Sequence, residues 1–126
     1  MLSRLANRNS PGYSDRFKPF MKLVRDHGYP IQKHFYKTED DYINCAFRIP
    51  GPKSAEPSTS RPVIVLQHGM NDSCFFAMNE GTDSLALFFA EAGFDVWLNN
   101  TRGSFYSRHH KHLDPSEDQE FWNFSF

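Results

Sequence analysis

Four consecutive apolar residues, Val63-Ile64-Val65-Leu66, run between Pro62 and Gln67-His68-Gly69, and three of them are β-branched. A strand that is apolar at every position suits burial on both faces, as in a central strand of a parallel sheet. Downstream, Phe94 to Leu98 reads as a second short apolar strand. Between the two, Thr82 or Asp83 can cap a helix carrying Leu85, Leu87, Phe88, Phe89 and Ala92, and Gly93 can end it. Strand, helix and strand in that order predict a βαβ unit with parallel strands.

Upstream, Phe17, Phe20, Met21 and Val24 recur at three and four residues, which predicts a helix over 16–27. Gly28 then stands at its C′ position and Pro30 prevents continuation. Ile31 to Thr38 and Tyr42 to Ile49 read as two strands joined by a turn at Glu39-Asp40-Asp41, with Ile43, Cys45, Phe47 and Ile49 on one face. Residues 50–61, with three prolines, Gly51 and three serines, read as an exposed loop. Asn99 to Asp114 is a polar loop, and Pro115 to Phe126 starts as a helix, with acids in its first turn. Residues 1–15 read as irregular.

The chain has 126 residues and a formal charge of -1, and it shows no basic stripe, which argues against nucleic acid as a partner. Thirteen phenylalanines read as core or interface material, because aromatic rings carry large burial areas. Cys45 and Cys74 make no disulfide framework; a single bridge stays open, and two small buried apolar residues is the preferred reading. No apolar run reaches the length of a membrane span, and the first ten residues hold no apolar signal-peptide core.

The chemistry concentrates at Gln67-His68-Gly69-Met70, which leaves the end of the first parallel strand. Sites in open α/β sheets lie outside the carboxyl ends of the strands. In serine hydrolases of that architecture, an N–H from this loop helps bind the oxyanion. Gly69 would let the backbone turn without a Cβ penalty, and the Met70 N–H would face the developing charge.

Several further segments resemble the acid lipase family, the group of gastric and lysosomal lipases. In family order these are His27-Gly28-Tyr29-Pro30, Thr38-Glu39-Asp40-Asp41-Tyr42-Ile43, Arg48-Ile49-Pro50, Arg61-Pro62-Val63, and Leu66-Gln67-His68-Gly69. Ala92-Gly93-Phe94-Asp95-Val96-Trp97-Leu98, Asn100-Thr101-Arg102-Gly103 with Ser107-Arg108-His109, and Phe121-Trp122-Asn123-Phe124-Ser125 follow. The resemblance covers about residues 27–126. It implies an α/β fold, here the N-terminal portion of an α/β-hydrolase: an antiparallel hairpin plus the first βαβ unit, an incomplete sheet. On that reading 16–126 is a partial lipase domain, truncated before the nucleophile elbow. The implied substrates are carboxylic esters of lipids, acylglycerols or sterol esters, and no cofactor is implied. Family members are secreted or lysosomal.

Asp41 stands where the family has glycine, which puts the turn type in question. No Gly-x-Ser-x-Gly elbow occurs in these residues, so the resemblance carries over no nucleophile, acid or catalytic histidine. It carries over only Met70 as an oxyanion donor, with His68 and Gly69 shaping the loop. The chain alone is therefore expected to be inactive, and a complementing C-terminal half is a possible partner. The alternative is a non-catalytic protein that binds lipid or a partner.

Other candidates fit ordinary roles better. Ser73 and Ser104 have no elbow context. Arg102 suits a loop anchor bonding backbone carbonyls. His109, His110 and His112 match no standard metal spacing. Asn71-Asp72-Ser73, Asn99-Asn100-Thr101 and Asn123-Phe124-Ser125 are glycosylation sequons, most of them expected to be unused.

Overall fold

A computed structural model describes residues 15–125. The expected irregular N-terminus lies outside the described residues except for Asp15. Helix α1 spans Lys18–Asp26 and buries Phe20 and Val24 on one face, as the three–four spacing predicts. It closes on a Schellman motif: the Gly28 N–H bonds the Arg25 carbonyl at 2.8 Å, and the Tyr29 N–H bonds the Val24 carbonyl at 3.4 Å. This closure holds Gly28 at φ 89°.

Strands β1 (Gln32–Lys37) and β2 (Ile43–Ile49) form the expected antiparallel hairpin, with Phe35 opposite Cys45. Its turn puts Asp41 at φ 68°, so the position where the family has glycine is left-handed in this chain. Aspartate tolerates that region better than most side chains. The Asp41 carboxylate also accepts from Lys37 Nζ at 2.9 Å.

Strand β3 (Val63–Gln67) leads through two 3₁₀ turns, Cys74–Met78 and Gly81–Asp83, into helix α2 (Leu85–Glu91) and strand β4 (Asp95–Asn99). The βαβ reading holds: β3 and β4 are parallel neighbours, with Val65 beside Trp97. The cap expected at Thr82 or Asp83 falls instead on Ser84, because 81–83 winds as a 3₁₀ turn. The buried Ser84 hydroxyl donates to the Gly81 carbonyl at 2.6 Å and so faces back toward that turn. Helix α2 ends as expected at Gly93, φ 96°, again with a Schellman pair of bonds. Phe94 packs edge-on to Phe89 there, ring centroids 5.6 Å apart.

The sheet order is β1-β2-β4-β3, and β2 and β4 are antiparallel. This corrects the central placement of β3. Among the described residues the strand is an edge, and Val63 and Val65 remain 61% and 60% exposed. An apolar run reports what its side chains avoid, not which strand lies beside it. The interior strands are β2 and β4, and β2 is buried at every position from Ile43 to Phe47.

The two faces of the sheet differ. Ile64, Leu66, Val96, Leu98, Cys45, Phe47 and Ile49 join Phe17, Phe20 and Val24 in one core with α2. Phe47 is its hub, 4.8 Å from the Phe20 ring and 5.3 Å from Tyr106. Full burial of such a ring contributes roughly 2–3 kcal/mol. The opposite face carries Arg48, which grips Asp95 through two 2.8 Å bonds and lies over the Trp97 ring.

The helix expected over Pro115–Phe126 is replaced by a single 3₁₀ turn, Gln119–Trp122. The Phe121 carbonyl, which a continuing helix needs as an acceptor, takes the Tyr42 hydroxyl instead at 2.6 Å. Asp114 and Asp118 likewise bond nearby backbone N–H groups.

Candidate oxyanion loop and its cleft

Parallel β3 and β4 deliver their C-terminal ends side by side, and the loops that leave them wall a cleft of about 810 Å³. Residues 67–73 form one wall and 101–105 the other, with Arg108, Trp122 and Phe124 at the rim. The three residues singled out from the sequence, His68, Gly69 and Met70, all line it.

His68 is 8% exposed and joins the two walls. Its Nε2 accepts from the Thr101 N–H at 3.1 Å, and its Nδ1 lies 2.7 Å from the Gly69 carbonyl oxygen. A backbone N–H only donates and a carbonyl only accepts, so the bonds select the neutral imidazole with its proton on Nδ1. Gly69 differs from expectation: it is not left-handed, and a Cβ built there meets nothing within 4 Å. The left-handed residue of this turn is Asn71, φ 59°. Glycine at 69 leaves open space in front of the loop. The Met70 side chain is 82% exposed, and its N–H has no hydrogen-bond acceptor among the described residues.

Three side chains brace this loop from across the sheet. The Tyr36 hydroxyl donates to Asn99 Oδ1 and Asn99 Nδ2 donates to Gln67 Oε1, both at 2.7 Å. Gln67 Nε2 then donates to the His68 carbonyl at 3.2 Å.

Beneath the cleft lies a second polar group that sequence reasoning missed. Asn100 and Ser107 are both 0% exposed. Asn100 Oδ1 accepts from the Cys74 N–H at 3.0 Å, and its Nδ2 donates to the Cys45 carbonyl at 3.1 Å. Ser107 Oγ accepts from the Cys45 N–H at 2.9 Å and donates to the Asn100 carbonyl at 2.8 Å. Both cysteines are free and buried, as preferred from the sequence. Burial pushes both thiols up, that of Cys74 to about 12. The only available signal was the match of Asn100 and Ser107 to family motifs, because polarity alone suggests solvent.

The remaining candidates have local roles. Ser73 accepts from the Phe75 N–H, and the Ser104 hydroxyl donates to the Thr101 carbonyl at 2.6 Å. Arg102 anchors its loop through the Asp40 carboxylate and the Tyr42 ring, not through backbone carbonyls. A charge-assisted bond to a carboxylate is stronger than one to a neutral carbonyl, which accounts for the difference. The Thr38 hydroxyl and then Arg102 hold the Asp40 carboxyl below its usual range. His110 bonds the Asp40 carbonyl at 3.0 Å through Nε2 and accepts from the His112 and Leu113 N–H groups through Nδ1. Among the described residues no three metal-ligating side chains converge, and no helix is long and apolar enough to cross a membrane.

Residues 20–80 match the partial alpha/beta-hydrolase lipase region. The chain is 46% identical over 107 residues to human lysosomal acid lipase/cholesteryl ester hydrolase, covering 83% of this chain and 27% of that protein. The chain belongs to the acid lipase family. Gastric triacylglycerol lipase of Rattus norvegicus is 39% identical over 124 residues, which covers 97% of this chain and 31% of the relative. Lipase member M of Mus musculus is 40% identical over 114 residues, 89% of this chain and 27% of that lipase. The chain thus corresponds to the N-terminal part of an acid lipase, and its open four-stranded sheet with two helices is a partial α/β-hydrolase fold.

Proposed function

We propose that this chain supplies the oxyanion-binding side of an active site that hydrolyses carboxylic esters of lipids, with the Met70 N–H as donor. Residues 16–126 are then part of one α/β-hydrolase domain. The observation that carries this reading is the Met70 N–H, which has no acceptor among the described residues and stands at the cleft beyond β3. When a serine attacks the ester carbonyl, the oxygen gains charge and a fixed N–H stabilises it more than the ground-state carbonyl. These residues contain no serine elbow, so nucleophile, acid and histidine come from another segment.

The test combines this chain with a polypeptide carrying the serine elbow, Asp and His of a relative, and measures p-nitrophenyl ester hydrolysis. Neither part alone hydrolyses the ester, and the two together do. Met70→Pro, which deletes the N–H, lowers the rate of the assembly on the order of 10²-fold or more. Serine-reagent-resistant hydrolysis by this chain alone, or an unchanged rate in Met70→Pro, would overturn the proposal.

A further inference from the structure

We infer that His68 is a positioning residue whose imidazole sets the direction of the Met70 N–H; the inference rests on Met70 being the oxyanion donor. The Gly69 carbonyl and the Met70 N–H belong to one peptide unit. That unit is planar and trans, as no cis bond occurs among the described residues, so its C=O and N–H point in opposite directions. His68 Nδ1–H holds the Gly69 oxygen at 2.7 Å on the side of its own buried ring. The Met70 N–H is thereby turned away from the ring. The imidazole cannot rotate out of this role without also releasing the Thr101 N–H from Nε2.

The preceding peptide is held as well. Its oxygen, the His68 carbonyl, takes the end of the Tyr36–Asn99–Gln67 relay. Both peptide planes before Met70 are therefore held, one by the His68 ring and the other by the Tyr36–Asn99–Gln67 relay. Past Met70, the backbone turns left-handed at Asn71, and Asp72 Oδ1 accepts from the Ser73 N–H. A donor that must meet a transient charge gains from this fixing, because no reorientation is needed as the charge develops.

Two substitutions separate positioning from simple bracing between loops. An asparagine amide reproduces the Nδ1 position of histidine, and a glutamine amide reproduces the Nε2 position. His68→Asn therefore keeps the bond to the Gly69 carbonyl, whereas His68→Gln keeps the bond from the Thr101 N–H. The readout is the Met70 15N–1H residual dipolar coupling in the labelled 126-residue chain, with amide protection at Gly28 and Gly93 as the fold control. His68→Asn leaves the coupling as it is, and His68→Gln shifts it. The imidazole nitrogen shifts of the unsubstituted chain give an independent reading, a protonated Nδ1 and a bare Nε2, which stands even where a variant does not fold. In the complemented assembly, His68→Gln lowers kcat on the order of 10²-fold with KM held, as expected for a misplaced group. A protonated Nε2, or an unchanged Met70 coupling in folded His68→Gln, would overturn the positioning role. Neither result touches the oxyanion reading, which fails separately if the assembly is inert.

Discussion

At the scale of single residues, Ser107 bears the most consequential polar contacts. One hydroxyl satisfies a buried N–H on β2 and a buried carbonyl just past β4, at 2.9 and 2.8 Å. Removing it leaves both groups without a partner in a site closed to water. Each such orphan costs about 1–3 kcal/mol, so Ser107→Ala should destabilise the chain by about 2–6 kcal/mol. Urea unfolding checks this: the midpoint falls while the slope is unchanged, since the surface exposed on unfolding is the same. An unshifted midpoint would remove Ser107 from the structural core. This network was illegible in the sequence for a physical reason. Its members lie 62 and 7 residues from their partners, and no local spacing encodes such pairings. The same holds for His68, whose partner Thr101 is 33 residues away.

At the scale of elements, local rules worked where local forces decide. The period of Phe17, Phe20 and Val24 gives α1, and Gly28 and Gly93 mark both helix ends, because the left-handed closure favours glycine. The hairpin is equally readable, and its turn shows what the family pattern adds: position 41, where the family has glycine, is left-handed with aspartate in place. Local rules failed where a distant partner intervened, as when Tyr42 took the carbonyl that a C-terminal helix needed. The hairpin turn also has an acid-sensitive tie to the loop after β4. The Asp40 carboxyl is held below its ordinary 3.8, first by the Thr38 hydroxyl and then by Arg102. A depressed carboxylate contributes stability that is fully present above its unfolded pKa and is lost as pH falls through its lower folded value. Unfolding midpoints measured from about pH 5 downward should therefore fall less steeply in Asp40→Asn than in the parent chain. Equal slopes in the two chains would mean that this carboxylate is not coupled to folding.

At the scale of the whole molecule, the described residues cover one face of the sheet and leave the other open, and among them β3 forms a free edge. Val63 and Val65 stand exposed there, and Phe88 on α2 is 65% exposed. No charged residue interrupts β3 from Val63 to Gln67, so its edge lacks the lysines that usually discourage strand pairing. The isolated chain should self-associate along this edge. Val65→Lys should weaken that association roughly tenfold or more while the helical and strand signals persist, as read by sedimentation velocity. Equal association of both chains would place the sticky surface elsewhere. That β3 pairs with β4 was legible from the strand–helix–strand order. Its edge position was not, since two apolar faces describe a strand's surroundings only above and below.

The relay that ends on the oxyanion loop has one more consequence, for sugar attachment. Of the three sequons, Asn99-Asn100-Thr101 begins inside β4, and the side-chain nitrogen that would receive a glycan already donates to Gln67. The buried Asn100 beside it is held by Cys45 and Cys74. A glycan on Asn99 would leave that nitrogen a single N–H and crowd Gln67, so it would disturb the relay that ends on the His68 carbonyl. A sugar at that site would thus report on the bracing of the oxyanion loop from a position on the neighbouring strand.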